Sequence, residues 1–336
     1  MNIDFEVNID KEKYYEIIAF TEYAYFTDKI QKFSGIFGGK RTLGEYLENF
    51  IKGKLAEEAF KEFLKKNFNI EVLTDLDLAD FIISDYIPDF VAIALNNRYI
   101  PLNFWVEIKE VRRGQKWLLV SSGGMNKRKY DAYAAVWIGL PDEHLACLLS
   151  ERTEIRNLMC ESWKEFMGDL KKSTNKIKCK IVGFASWADI EQIRNKNKTT
   201  NKLLNKKFGK NGWHHFDGNT ALFDPDDASW KGATVGENVG IALSRLHKSS
   251  INQWDTFIDL LKNNKRIASN IPKKYTTKKG KIRSHPIPGI CKSFKESSSD
   301  YREIHQRCIE FQLKKIREKH GTIKRESSWF KQPLKK

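Results

Sequence analysis

The spacing of apolar residues between positions 42 and 68 predicts an amphipathic helix. Apolar residues recur at 55, 56, 59, 60, 63 and 64, which is the i, i+3, i+4 spacing of one helical face. Thr42, followed three residues later by Glu45, has the form of an N-terminal capping box. We therefore expect a long helix that buries one side against the rest of the chain.

Helical phasing separates two adjacent glutamates in the middle of this helix. Glu58 is expected on the solvated face, in line with the charged residues Lys54, Lys61, Glu62 and Lys65. Glu57 falls instead at the edge of the apolar face, flanked by Ala56, Phe60 and Leu64. Glu57 is thus the acidic side chain that we expect nearer to the interior.

A run of predicted strands follows the helix. Short apolar stretches indicate strands at 81–84, 90–95, 99–111, 117–120 and 134–140. The Asn96-Asn97 pair favours a tight turn because Asn tolerates positive φ, so 90–95 and 99–111 are predicted to form a hairpin. Later elements are a helix at 151–172, a strand at 176–186, a polar helix or linker at 189–206 and a helix at 301–319. This order predicts an α+β or mixed α/β fold.

Three charged residues interrupt this apolar region. Asp89 comes just before the strand at 90–95, and Glu107 and Lys109 lie within the strand that ends at Val111. Residues two apart share a face of a strand, so Glu107 and Lys109 point together while Val106 and Ile108 point to the apolar side. Asp89 approaches Glu107 if the two strands are neighbours, and two such carboxylates repel unless a cation lies between them. The alternative is a set of surface charges on the polar face of an ordinary antiparallel sheet.

These residues carry a resemblance to a known family. "PDF" at 88–90 followed by "VEIKEV" at 106–111 resembles the PD-(D/E)XK nuclease superfamily, specifically the type II restriction endonucleases, and "GKLAEEAFKEFL" at 53–64 looks like the helix that precedes this motif. The resemblance covers about residues 42 to 140, and the helix expected between the two strands after Lys109 looks truncated.

The resemblance implies both a fold and a chemistry. The fold is an α/β core with a central mixed sheet flanked by helices, and the activity is Mg²⁺-dependent hydrolysis of DNA phosphodiester bonds. In this reading Asp89 and Glu107 ligate Mg²⁺, Glu57 ligates a second ion or an ordered water, and Lys109 activates the nucleophile. Mg²⁺ suits such a set because it is usually held by one or two carboxylates together with waters and phosphate oxygens.

Charge distribution adds a predicted polyanion-binding region. The net charge is +16, and residues 262–336 hold 22 Lys and Arg against 6 Asp and Glu, so the rest of the chain is balanced. A basic segment with interspersed aromatic residues is typical of nucleic-acid binding, although it can also be a merely solvated tail. We expect a nuclease core within 1–150, a DNA-recognition region at 151–270 and a basic C-terminal segment at 271–336. The candidate DNA contacts are Arg112, Arg113, Lys127, Arg128, Lys129, His214 and His215.

The remaining features of the sequence narrow the class of protein. No apolar run is long enough to span a bilayer, and the N-terminus lacks the pattern of a signal peptide, so we expect a soluble cytoplasmic protein. The five cysteines show no C-x-x-C pairing, which signals neither a disulfide framework nor a zinc site. The predicted function is a type II restriction endonuclease that acts on double-stranded DNA as a homodimer, with a DNA methyltransferase as its functional partner. The alternatives are a DNA repair or structure-specific nuclease and a non-catalytic nucleic-acid-binding protein.

Overall fold

The computed structural model describes most of the predicted core and parts of the later chain. The described residues are 3–26, 43–78, 88–115, 117–121, 128–145, 175–196, 233–235, 238–247, 251–276, 280–284, 293–295 and 298–320. The predicted strand at 81–84, the predicted helix at 151–172 and the part of the polar segment beyond residue 196 lie outside them. No helix in these ranges is long and apolar enough to cross a membrane.

The described helices and strands alternate along the chain. The helices are α1 (Lys11–Phe26), α2 (Leu43–Phe68), α3 (Trp187–Lys196), α4 (Ile251–Lys262) and α5 (Tyr301–His320). The strands are β1 (Glu6–Asp10), β2 (Val72–Thr74), β3 (Phe90–Leu95), β4 (Arg98–Pro101), β5 (Val106–Val111), β6 (Trp117–Ser121), β7 (Ala132–Ile138), β8 (Lys176–Ser186), β9 (Ala233–Val235), β10 (Asn238–Ala242), β11 (Lys274–Thr276) and β12 (Ile282–Ser284). The predicted strands at 117–120, 134–140 and 176–186 and the predicted helix at 301–319 are confirmed to within a few residues.

A four-stranded sheet with the order β1-β8-β7-β5 organises the fold. β5 pairs with β7 in parallel, whereas β7 with β8 and β8 with β1 are antiparallel, so the sheet is mixed. Helix α2 packs on one face, and α3, β10 and the start of α5 contribute to the cluster on the other. The prediction of a mixed α/β fold with a mixed sheet between helices is therefore confirmed.

The division of the chain at residue 150 stays a prediction, although one strand of the central sheet comes from beyond it. β8 lies within the segment predicted as the DNA-recognition region, and it pairs with both β7 and β1. Helix α5 of the basic segment packs Ile309, Leu313 and Ile316 against apolar residues of β2 and β3. Parts of both later segments therefore contribute to the core.

The hairpin predicted at Asn96-Asn97 is confirmed. β3 and β4 are antiparallel, and Asn96 and Asn97 have φ values of 50° and 60°, the left-handed conformation that a two-residue hairpin turn requires. The single strand predicted for 99–111 is wrong, because β4 ends at Pro101 and β5 begins at Val106 in a different sheet. Pro101 cannot donate a backbone hydrogen bond. The backbone amide of Trp105 donates instead to Asp131 Oδ2 at 2.8 Å, at the start of β7.

Helix α2 is buried on more of its circumference than the sequence predicts. Its six predicted apolar positions are fully buried, which confirms the apolar face. The predicted solvated face is wrong for Lys54, Glu58 and Lys61, which are 8%, 2% and 1% exposed. The reason is that β2 and the turn after it cover this side and supply Asp75 and Asp77 as ion-pair partners.

One arginine of the basic C-terminal segment is buried in the interior of the fold. Arg302 of α5 is completely buried, and its Nη1 donates to Asp131 Oδ2 at 2.6 Å. Its guanidinium group lies 4.4 Å from the centre of the Trp105 ring, a cation–π contact. Asp131 also accepts from the backbone amides of Ile267 and Ala268, so this carboxylate ties α5 and the segment before it to the strand that carries Glu107.

Candidate active site

Asp89, Glu107 and Lys109 meet where β3 begins beside β5. Asp89 Oδ2 accepts a hydrogen bond of 2.5 Å from the backbone amide of Ile108, the residue between Glu107 and Lys109. Val106 and Ile108 belong to the cluster that packs against α2, as predicted, so Glu107 and Lys109 project from the opposite face of β5. The structure thus brings together the three residues that the sequence singled out.

The charges of these side chains act on one another. Burial of the Asp89 carboxyl group and the adjacent charge of Glu107 raise the pKa of Asp89 to about 7. Burial would also raise the pKa of Glu107, but the Lys109 ammonium and the Arg128 guanidinium outweigh it and hold that pKa below its ordinary value. Partial burial would lower the pKa of Lys109, whereas its ion pair with Glu107 and the charge of Asp89 raise it. Glu107 therefore stays ionised next to a carboxyl group that resists ionisation.

One oxygen of Glu107 has no hydrogen-bond partner in the described parts of the chain. Glu107 is 8% exposed, and its Oε1 contacts Lys109, whereas its buried Oε2 has no hydrogen-bond partner among the described residues. The Tyr130 hydroxyl lies near enough to favour the ionised form of Glu107. A buried ionic oxygen without a full set of partners costs free energy, which makes this position suitable for a cation.

A second group of charges connects α2 to this site. Lys54 Nζ donates to Glu57 Oε1 at 2.9 Å, to Glu57 Oε2 at 2.8 Å and to Asp75 Oδ1 at 2.7 Å. Burial, followed by the charges of Asp89 and Asp75, raises the pKa of Glu57, while Lys54 opposes this shift. Burial would lower the pKa of Lys54, but Asp75, Glu57 and Asp89 together raise it. Glu57 is therefore an interior acidic group coupled to Asp89, and both of its oxygens contact a lysine.

The donor atoms fit a Mg²⁺ site built on two carboxylates. Across the described residues no group of three His, Cys, Asp or Glu side chains is close enough together to hold a metal ion. Mg²⁺ does not require three, because waters and phosphate oxygens commonly complete its octahedron. The carboxylates of Asp89 and Glu107, with the unpartnered Glu107 Oε2, are the oxygen ligands that this ion prefers. A direct role of Glu57 as a ligand stays a prediction.

The residues predicted to contact DNA lie in different places relative to the candidate site. Arg128 lies at the site, where its Nη1 donates to the Tyr130 hydroxyl at 3.1 Å and its charge acts on Glu107. Lys129 faces away and donates to Ser269 Oγ at 2.7 Å and to the Asn270 carbonyl at 3.1 Å. Arg112 and Arg113 are exposed just after β5. Lys127, His214 and His215 lie outside the described residues.

Three residues of this region were not predicted from the sequence. Lys54 was placed on the solvated face, and neither Asp75 nor Tyr130 was singled out. The i, i+3 spacing of Lys54 and Glu57 on a helix was an available signal for their ion pair. Asp75 offered no comparable signal, because its contact with Lys54 depends on how β2 packs against α2.

Comparisons with known proteins leave the resemblance as a prediction. Searches against protein-family models, curated proteins and solved structures each found no significant match to this chain. The arguments for function therefore rest on the residues and geometry of this chain.

Proposed function

We propose that this protein is a Mg²⁺-dependent endonuclease that hydrolyses phosphodiester bonds in double-stranded DNA, with the properties of a type II restriction endonuclease. The main support for the proposal is the hydrogen bond from the Ile108 amide to Asp89, which holds Asp89 beside the segment that contains Glu107 and Lys109. The Glu107 Oε2 atom, which has no hydrogen-bond partner among the described residues, and the raised pKa of Asp89 support it, because the first is an open ligand atom and the second marks a carboxyl group whose ionised form a further cation would favour.

In this proposal Asp89 and Glu107 hold the ion between the start of β3 and the middle of β5. Bound Mg²⁺ supplies positive charge at the phosphate and lowers the pKa of a coordinated water. Lys109 keeps a side chain that is 39% exposed, so its ammonium group is accessible to a substrate. As an ammonium group it would donate a hydrogen bond to a phosphate oxygen, and its charge would stabilise the negative charge that develops on the phosphoryl oxygens.

Arg128 extends the positive surface beside the carboxylates. Because its guanidinium acts on Glu107 and donates to the Tyr130 hydroxyl, Arg128 adds a second cation beside the carboxylates, where a phosphate group would bind. Exposed Arg112 and Arg113 and the excess positive charge after residue 262 provide further attraction for DNA. Such contacts give an affinity that falls as the salt concentration rises. A palindromic target would make a two-fold homodimer the natural assembly.

The test is incubation of plasmid DNA with the purified protein, with and without Mg²⁺. Discrete fragments that require Mg²⁺ would support restriction activity, whereas a smear or cleavage confined to branched DNA would replace it with a repair or structure-specific nuclease. DNA retention without cleavage would reject the nuclease and leave a binding protein.

A matched pair of variants ties the outcome to the site. Glu107→Gln should abolish cleavage, while Glu110→Gln, a change of the same kind on the opposite face of β5, should leave it intact. Equal cleavage by both variants would remove Glu107 from the mechanism.

A further inference from the structure

The ammonium group of Lys54 has the surroundings of a bound cation. It makes three hydrogen bonds of 2.7 to 2.9 Å, and all three acceptors are carboxylate oxygens. An ammonium group has three donors, so these contacts account for its full capacity. The side chains of Lys54, Glu57 and Asp75 are only 9%, 8% and 11% exposed, so this group of charges is almost completely removed from solvent.

The charges of Lys54 and Glu57 interact with the charge of Asp89 in the proposed Mg²⁺ site. The negative charge of Asp89 acts on both Lys54 and Glu57, and the charge of Lys54 acts in turn on Asp89. Lys54 is therefore one of the cations that favour the ionised form of Asp89. It lies three residues before Glu57 on α2, whose apolar face is fully buried.

A count of charges indicates that one divalent ion is enough. The interacting carboxylates are Glu57, Asp75, Asp89 and Glu107, and the interacting cations are Lys54, Lys109 and Arg128. With every one of these groups ionised, the state that a bound cation favours for the carboxylates, they leave one negative charge in excess. One divalent ion changes the excess to one positive charge, which matches the single negative charge of a phosphodiester group. A second divalent ion would leave an excess of three positive charges in a largely buried region.

We infer that Lys54 takes the place of a second metal ion, so that the protein binds one divalent cation and Glu57 holds Lys54 instead of a metal. This inference rests on the proposed function and replaces the role of Glu57 as a ligand of a second ion. Lys54 is a positioning residue, since it acts through Glu57, Asp75 and Asp89 rather than on the substrate. The chemical class of the single ligand is a hard divalent cation such as Mg²⁺ or Mn²⁺.

The experiment is titration of the full-length protein with Mn²⁺, followed by calorimetry and by electron paramagnetic resonance of the free ion. The wild-type protein should bind one Mn²⁺ per chain. Lys54→Met frees the oxygens of Glu57 and Asp75 next to Asp89, so this variant should bind two. A wild-type stoichiometry of two would overturn the inference, as would a folded Lys54→Met variant that still binds one.

Glu57→Gln provides a second test that does not depend on the folding of the lysine variant. This nearly isosteric change keeps a hydrogen-bond acceptor for Lys54. It should leave one Mn²⁺ per chain with an affinity changed by less than about tenfold, since only an indirect charge effect is lost. A larger loss of affinity, or loss of one of two bound ions, would identify Glu57 as a metal ligand and contradict the inference.

Lys61→Met is the matched control for the lysine variant. It removes the lysine partner of Glu58, on the same helix, and of Asp77, after β2, and it should lower stability without adding a Mn²⁺ site. A gain of one Mn²⁺ equal to that of Lys54→Met would mean that any exposed acid pair recruits the ion, which would overturn the inference. If the wild-type protein binds no Mn²⁺ at all, the proposed function itself fails. If it binds one ion that depends on Asp89 but Lys54→Met gains none, only the inference about Lys54 fails.

Discussion

Two clusters of buried charge on and beside α2 contain the same residue types but differ in how completely each charge is paired. In the Lys61 cluster, Lys61 Nζ contacts Glu58 Oε1 at 3.0 Å and the two oxygens of Asp77 at 2.9 and 2.6 Å. The Thr74 amide and hydroxyl donate to the same Asp77 carboxylate. The Asp89 cluster consists of Asp89, Glu107 and Lys109. Its Glu107 Oε2 has no hydrogen-bond partner in the part of the chain that the structure describes, and its Lys109 side chain is 39% exposed.

The difference indicates which cluster stabilises the fold and which one is suited to bind a ligand. Removing charges from water costs several kcal/mol per ion, and close pairing offsets most of this cost. In the Lys61 cluster the ammonium group and both oxygens of Asp77 are hydrogen-bonded and almost completely buried, which is typical of a structural role. The Asp89 cluster has a buried carboxylate oxygen without a hydrogen-bond partner among the described residues and reaches solvent through Lys109, which is typical of a site where a cation and a substrate complete the pairing.

The largest expected effect is the loss of catalysis in the Asp89 cluster. Asp89→Asn should lower the rate of Mg²⁺-dependent DNA cleavage by about a hundredfold or more, the usual scale for one electrostatic group in an active site. Glu58→Gln makes the same change of charge in the Lys61 cluster and should leave the rate per folded molecule unchanged. The rates are compared on plasmid DNA with the folded fraction measured by circular dichroism. Similar losses of cleavage rate in both variants would contradict the assignment of catalysis to the Asp89 cluster alone.

Stability should respond in the opposite order. Lys61→Met strands two buried carboxylates and should reduce the free energy of unfolding by about 3 to 5 kcal/mol, as expected when one partner of a buried ion pair is removed. Lys109→Met leaves the buried Glu107 carboxylate with Arg128 still beside it and removes a lysine that is partly exposed, so it should cost less, about 1 to 3 kcal/mol. Urea denaturation of the two variants measures both values. A greater loss for Lys109→Met would contradict the structural role assigned to the Lys61 cluster.

The pH dependence of stability should show a contribution from Asp89. Its pKa is about 7 in the folded protein against an ordinary value of 3.8, so between these values the native state holds a proton that the unfolded state has lost. The free energy of unfolding should therefore fall as pH rises from 3.8 to 7 and change little above 7 on account of this group. For the metal-free Asp89→Asn variant, the free energy of unfolding should not show the part of the decrease between pH 3.8 and 7 that comes from Asp89. An identical pH profile for wild type and variant would exclude Asp89 as its source.

The smallest expected effect concerns Lys129, which the sequence analysis assigned to DNA binding. Its ammonium group contacts Ser269 Oγ and the Asn270 carbonyl, so Lys129→Met should lower stability by about 1 kcal/mol or less, the usual contribution of exposed polar contacts. DNA affinity and its salt dependence should stay close to the wild-type values. A clear decrease in the salt slope would instead place Lys129 among the phosphate contacts.

Local patterns allowed correct predictions where the determinants are close in sequence. The Asn96-Asn97 turn and the apolar face of α2 follow from the conformational preference of asparagine and from helical periodicity. The alternation of Val106, Glu107, Ile108 and Lys109 likewise predicted which side chains share a face of β5. The approach of Asp89 to that strand was predicted from adjacent strands, whereas β3 pairs with β4 and the contact with β5 is made by the Asp89 side chain to the Ile108 amide.

The errors arose where the determinants come from distant parts of the chain. Lys54 and Lys61 follow the helical spacing of a solvated face, and only the packing of Asp75 and Asp77 against them turns that face inward. The break between β4 and β5 depends on Asp131, which draws the backbone of Trp105 toward β7. Arg302 could not be separated from the other basic residues of its segment, because its burial depends on contacts with Trp105 and Asp131.

The most direct test of the central claim, that Asp89 and Glu107 hold one divalent cation, is the affinity for Mn²⁺ measured by calorimetry at neutral pH. The wild-type protein should bind one ion, Asp89→Asn and Glu107→Gln should each weaken binding by more than about tenfold, and Glu110→Gln should not weaken it. Wild-type protein that binds no divalent ion, or variants at Asp89 and Glu107 that bind it as tightly as Glu110→Gln does, would contradict the account.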